Sequence, residues 1–174
     1  MAEEAQDGEE NHRLVRPVRP EDAVSICAIY NYYVRETTVT FEESAIGPAD
    51  IHSRIADVEQ AGLPWIVAES RHRVVGYAYA TPWKERSAYR YSVEVSVYVA
   101  CGEHGKGWGT ALYKDLFDRL RQKKIHLIVG GITLPNDSSI ALHEKFGMKK
   151  VAHFNEIGFK FGKWRDVGYW EKIL

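Results

Sequence analysis

Residues 91–110 read YSVEVSVYVACGEHGKGWGT, and their pattern changes three times in twenty positions. Val93, Val95, Val97 and Val99 alternate with Glu94, Ser96 and Tyr98, the period of a strand with two unlike faces. Gly105, Gly107 and Gly109 then fall at every second position, and Leu112, Leu116 and Leu120 follow at helical spacing. A strand that leads through a glycine turn into a helix N-terminus offers a row of backbone N–H groups to an anion. The turn is neither of two common phosphate loops. A Walker A loop requires Ser or Thr after its Gly-Lys, whereas Gly105-Lys106 is followed by Gly107. The dinucleotide fingerprint requires glycine where Thr110 stands. Glu94, a few residues upstream, puts a carboxylate in the same strand.

The rest of the chain sets bounds on that unit. Its 174 residues are enough for one domain with a substantial core. We place an acidic, disordered tail at residues 1–13 and a single domain at 14–174, because the opening MAEEAQDGEENHR has nothing to pack. A net charge of -1 gives no electrostatic case for nucleic acid or an anionic membrane as partner. No apolar run approaches the ~18 residues that span a bilayer, and the acidic start lacks the apolar segment of a secretory signal. Cys27 and Cys101 stand far apart with no zinc or disulfide spacing, as expected of thiols in the cytoplasm. The histidines show no metal spacing, so no metal is assigned.

Outward from the central stretch, the elements read β-α-α-β-β-β-α-β-α-β-β. A short strand at Leu14–Val18 gives way to a helix with Pro20 in its first turn and Ile26, Ile29, Tyr30 and Tyr33 as its buried stripe. A polar loop ends on Phe41. A second helix fits Pro48–Ala61, with Ile51, Ile55 and Val58 on one face. Strands at Pro64–Ser70 and Val74–Trp83 flank the turn Arg71-His72-Arg73. The helix after the glycines runs to about Lys124, an apolar strand covers His126–Leu134, and a short helix follows Asn136. Strands near Val151–Ile157 and Trp164–Ile173 finish a mixed α/β (α+β) chain.

His104–Thr110 resembles the acetyl-CoA pyrophosphate loop of the GNAT superfamily of N-acetyltransferases, with His104 in the place usually held by Gln or Arg. The segments TFEE, TPWKERSAY, SVEVSVYV, GITLPNDSSIALHEKFG and KFGKWRDVGYW, in that order, resemble its phosphinothricin and methionine-sulfoximine acetyltransferase branch. The resemblance covers the chain from Leu14 onward. It implies a GNAT fold with a central mixed, mostly antiparallel sheet flanked by helices. It further implies acetyl-CoA as co-substrate, a small-molecule amine as acceptor and a homodimer.

Acetyl transfer to an amine needs a base for the amine proton, donors for the oxyanion and an acid for the departing thiolate. Glu94 suits a solvated strand face as well as a base; the adjoining loop and the resemblance favour general base. The resemblance places His143 at the leaving sulfur, where a histidine surface position on the helix is the plainer alternative. It gives the co-substrate the backbone of Val97, Tyr98 and Val99, the loop His104, Gly105, Lys106, Gly107, Trp108, Gly109 and Thr110, and Asn136, which also reads as a helix cap. It places Phe41, Trp83, Arg86, Tyr89 and Val95 around the acceptor, with Arg86 suited to a carboxylate or phosphinate. The alternatives are another amine acceptor (a polyamine, an aminoglycoside or a peptide N-terminus) and a non-catalytic acyl-CoA-binding module.

Overall fold

Period-2 sequence becomes sheet and 3.6-period sequence becomes the helices that cover it, in the order expected. The computed structural model describes residues 13–174, and the stretch ahead of Arg13, with its expected disorder, lies outside the described residues. In chain order the elements are β1 (Arg13–Pro17), α1 (Ala23–Glu36), α2 (Pro48–Gln60), β2 (Trp65–Ser70), β3 (Arg73–Pro82), β4 (Ser92–Val99), α3 (Trp108–Gln122), β5 (Leu127–Leu134), α4 (Asp137–Lys145), β6 (Lys149–Lys160) and β7 (Lys163–Ile173). They build a seven-stranded sheet ordered β1-β2-β3-β4-β5-β7-β6. Its pairs are antiparallel except β4 with β5.

The sheet is covered on both faces. Ile66, Ala78, Val93 and Val95 pack beneath Leu112, Leu116 and Leu120 of α3. On the other face Val67 and Tyr77 pack beneath Ile26, Ile29, Tyr30 and Tyr33 of α1 and Ile51, Ile55 and Val58 of α2. Near β1, Arg16 is held between Asp22 and Glu69, each at 2.8 Å. Arg13, assigned to the tail from sequence, is instead the first residue of β1, paired with Ser70.

Boundaries moved where turn geometry was hidden in the sequence. The β2–β3 turn uses Arg71 and His72 at positive φ, and Arg73 already belongs to β3. The third helix stops at Gln122 rather than Lys124, whose φ of 57° turns the chain left-handed out of it. β6 is longer than expected because register shifts at Lys150/Ala152 and Phe154/Gly158 break its alternation.

Two features position the site. β4 and β5 pair only at Ser92–Leu127, Val93–Ile128 and Glu94–Val129, and then part. The next residues of β5, Gly130 and Gly131, make room on opposite faces. A Cβ on Gly130 would lie 2.5 Å from Nε2 of His143, and one on Gly131 would lie 3.2 Å from Oε1 of Glu94. His143 is buried at 3% exposure, so its ring has nowhere to retreat. Gly130→Ala is therefore expected to destabilise the fold by about 2 kcal/mol, read as a lower midpoint in thermal or urea unfolding.

Candidate active site

The parting of β4 and β5 opens a cleft of 640 Å³, lined by Val97, Val99, Gly105, Gly107, Thr110, Asn136 and others. Ala100 donates its N–H to Val75 of β3. By antiparallel alternation, Val95, Val97 and Val99 turn their backbone groups away from β3 and toward the gap. The Tyr33 hydroxyl already serves Val99, donating to its oxygen at 2.6 Å and lying 2.8 Å from Nε2 of His104. Burial pushes the Tyr33 hydroxyl up to about 12, so it stays a donor. His104 thus ties the loop to α1 through Tyr33.

Gly107 caps α3 at φ 84°, a left-handed conformation that glycine adopts without the Cβ penalty. The turn is braced from outside. Arg13 donates to the Lys106 oxygen at 2.8 Å, and its guanidinium stacks 4.0 Å from the Trp108 ring. Lys106 Nζ pairs with Glu103 at 3.1 Å, and the Trp108 indole donates to the same carboxylate. Across the cleft, Asn136 Oδ1 accepts from the Ser139 N–H at 3.1 Å and caps α4.

Glu94 lines a second cavity, of 280 Å³, with Val39, Phe41, Gly131, Thr133, Ile157, Val167 and Tyr169. Burial raises its pKa above the ordinary value, and the charge of Lys84 opposes that rise. Tyr169, next to it on β7, is pushed upward by burial and by Glu94. Val39 lines both the cavity and the cleft, so the two spaces meet at one side chain. A half-buried carboxylate whose pKa is raised by burial holds its proton to higher pH than an exposed glutamate.

The sequence profile of the acetyltransferase (GNAT) domain matches residues 15–168. The chain belongs to the GNAT acetyltransferase family. It is 38% identical to a phosphinothricin N-acetyltransferase of Streptomyces coelicolor, covering 92% of this chain and 95% of that one. It is 35% identical to an L-methionine sulfoximine/L-methionine sulfone acetyltransferase of Salmonella typhimurium, covering 88% of this chain and 90% of that one. Among solved structures, a Sinorhizobium meliloti phosphinothricin acetyltransferase in complex with acetyl-CoA superimposes with a TM-score of 0.90 at 33% identity, over 93% of this chain and 88% of that one. A Brucella melitensis ribosomal-protein-alanine N-acetyltransferase also gives 0.90, at 35% identity over 92% of this chain and 99% of that one. This GNAT enzyme is an N-acetyltransferase whose acetyl donor is acetyl-CoA. Family membership sets aside the non-catalytic binding module.

Within this GNAT chain the expected site residues divide by location. Val97, Val99, His104, Gly105, Gly107, Trp108, Gly109, Thr110 and Asn136 all line the cleft, although the Trp108 side chain is itself 4% exposed and packs in the core. Lys106 lies outside the lining, held to Glu103. Tyr98 corrects an expectation: its ring stacks on Tyr77 at 5.2 Å on the α1 face and its main chain pairs with Tyr77 of β3, so neither turns to the cleft. Phe41 joins Glu94 in the cavity, and Trp83 stands one ring away, edge-on to Tyr169 at 5.7 Å. Arg86 and Tyr89 are exposed and outside that lining. Val95 corrects an expectation: its side chain is core, because odd positions of β4 face α3.

His143 lines neither space. Its Nδ1 donates to the Ser139 oxygen at 2.7 Å, its Nε2 accepts from the Tyr113 hydroxyl at 3.0 Å, and burial pulls its pKa down. That is a neutral ring with both nitrogens engaged. Val39, Thr133, Ile157, Val167 and Tyr169 of the cavity went unnoticed in the sequence. Only Gly130-Gly131, a glycine pair inside an apolar strand, signalled a close approach there. The balance on Glu94 is testable by carboxyl-selective NMR titration. Its pKa is expected above the ordinary ~4.3 of glutamate, and higher still in Lys84→Ala, since Lys84 holds it down.

Proposed function

We propose that this enzyme acetylates the primary amine of a small amino-acid-like acceptor, of the phosphinothricin, methionine sulfoximine or methionine sulfone type. One observation carries the reading: a half-buried carboxylate with a raised pKa sits in a small cavity that meets the proposed co-substrate cleft at Val39. The names of the similar proteins supply the acceptor class. The cavity volume of 280 Å³ suits an amino acid better than an aminoglycoside. The ribosomal-protein-alanine N-acetyltransferase of similar fold keeps a peptide N-terminus as the second reading.

In this reading Glu94 takes the proton as the amine nitrogen attacks the thioester carbonyl, directly or through one water. The carbon–nitrogen bond forms, the carbon–sulfur bond breaks, and the thiolate collects a proton on leaving as free CoA. The Val97 main chain, facing the gap, receives the pantetheine arm, and the turn at His104–Thr110 with Asn136 receives the phosphates. Positioned base catalysis of this kind contributes roughly 10²–10⁴-fold. The thiolate's proton is not proposed to come directly from His143, whose ring is engaged on both sides; His143 acts as a positioning residue, holding Ser139 of the cleft wall through Nδ1. Arg86, on the connection beside Trp83, is proposed to meet the acidic group of the acceptor. A homodimer is supported by the exposed apolar side chains of the β6–β7 hairpin, Val151, Ile157, Phe159 and Trp164 among them. A cytoplasmic setting is supported by the exposed thiol of Cys101, and among the described residues no helix is long and apolar enough to cross a membrane.

The deciding assay is CoA release from acetyl-CoA with a panel of amino-acid analogues, polyamines and peptides. Turnover confined to peptides would replace the amino-acid reading with the second one. Glu94→Gln is expected to lower kcat by ~10²-fold or more with acetyl-CoA affinity unchanged. In the parent enzyme kcat/KM should fall as pH drops through the raised Glu94 pKa, because the base is lost on protonation; that limb should vanish in Glu94→Gln. Arg86→Ala should weaken acidic acceptors about tenfold and leave uncharged amines unchanged.

A further inference from the structure

The loop between α1 and α2 crosses to the far hairpin of the sheet, where it contributes Val39 and Phe41 to the Glu94 cavity. A buried lysine meets it there. Lys160, the last residue of β6, is 1% exposed, and its Nζ donates to the main-chain oxygen of Thr40 at 2.8 Å. One residue further along the loop, the Phe41 ring fills the space over Gly158, which a Cβ would take from it. Gly158 and Lys160 share one face of β6 by strand alternation. Two positions on the strand therefore receive two consecutive residues of the loop. Other contacts tie the loop to the helices: the Tyr30 hydroxyl to Thr40 Oγ1 at 2.8 Å, and Arg54 to Glu42 at 2.7 Å.

A buried ammonium is an expensive way to fill space. Burial pulls the Lys160 pKa down while Glu42 and Glu43 pull it up, and an apolar side chain of similar size would avoid the conflict. Such a side chain could pack, but it could not fix a carbonyl. No step of the acetyl transfer described above uses Lys160.

We propose that Lys160 is a positioning residue for acceptor recognition, holding the Thr40 carbonyl so that Val39 and Phe41 stand as fixed walls of the Glu94 cavity. Because Val39 also lines the cleft, the same tie sets the opening between co-substrate and acceptor. The inference rests on the reading that the amine enters the Glu94 cavity.

Lys160→Met keeps the volume and removes the donor. Hydrogen exchange is expected to quicken about tenfold at the amides of residues 38–42, with the glycine turn unchanged. In kinetics, the acceptor KM should rise about tenfold while kcat and the acetyl-CoA KM stay within about threefold. Phe41→Ala, at a position 37% exposed, should raise the acceptor KM alone but add little on top of Lys160→Met. Unchanged exchange at residues 38–42 overturns the tie. Faster exchange throughout the sheet, an unchanged acceptor KM, or additive effects with Phe41→Ala overturn the positioning role. A parent enzyme that acetylates no small amine overturns the acceptor reading instead, and the exchange result still decides the tie.

Discussion

Everything functional in this chain hangs on β4 and β5 running side by side for three residue pairs and then separating. Backbone groups left unpaired inside a protein must find other partners, and the separation leaves those of Val97 and Val99 without a neighbouring strand. The fold answers for Val99 with the Tyr33 hydroxyl. Val97 is left facing the cleft, with the glycine turn on one side and the capped start of α4 on the other. The gap persists because β5 does not drift free: β7 pairs with it from Leu127 to Leu134 and holds it in place while β4 diverges. A parallel pair abandoned halfway would otherwise close up or fray.

The same separation places Glu94, the last β4 residue in that pairing. One position earlier its side chain would enter the α3 core, and beyond it no β5 neighbour would shield it. Gly131 lets the carboxylate lie close against β5, where Tyr169, Phe41 and Val167 keep water away. Desolvation therefore outweighs the attraction of Lys84 and raises the pKa, the direction that favours the proposed role as a base.

The sequence was most readable where chemistry is carried by pattern. Alternating valines, alternating glycines and the leucine spacing of α3 are local signals, and they located β4, the turn, the cleft and Glu94. The proposed acceptor side was less readable because its walls come from Val39, Thr133, Ile157, Val167 and Tyr169, brought together from four distant segments by strand pairing and by the ties of the α1–α2 loop. The register shifts of β6 hid its alternation and with it the exposed and cavity-facing sides of that strand. His143 shows the limit of motif position. Its place in the helix was right, but only the structure shows that Gly130 admits the ring into the core, where Tyr113 and Ser139 take both nitrogens.

The two halves of the site are therefore built from different materials. In the proposed reading the donor side is mostly backbone: a strand edge, a turn that needs its left-handed glycines, and a helix start capped by Asn136. Such a surface is proposed to receive the constant part of acetyl-CoA. The proposed acceptor side is mostly side chain, from the α1–α2 loop and the β6–β7 hairpin as well as β5, and of these the loop is the part that no strand pairing holds. A loop of that kind keeps a defined wall only if something anchors it, and here the anchors reach it from α1, α2 and β6 at Tyr30, Arg54 and Lys160. In the proposed reading, changes at those anchors alter the acceptor cavity and its boundary with the cleft at Val39 while leaving the glycine turn and Glu94 in place. A single framework can thus keep one acetyl donor while its amine acceptor is free to vary.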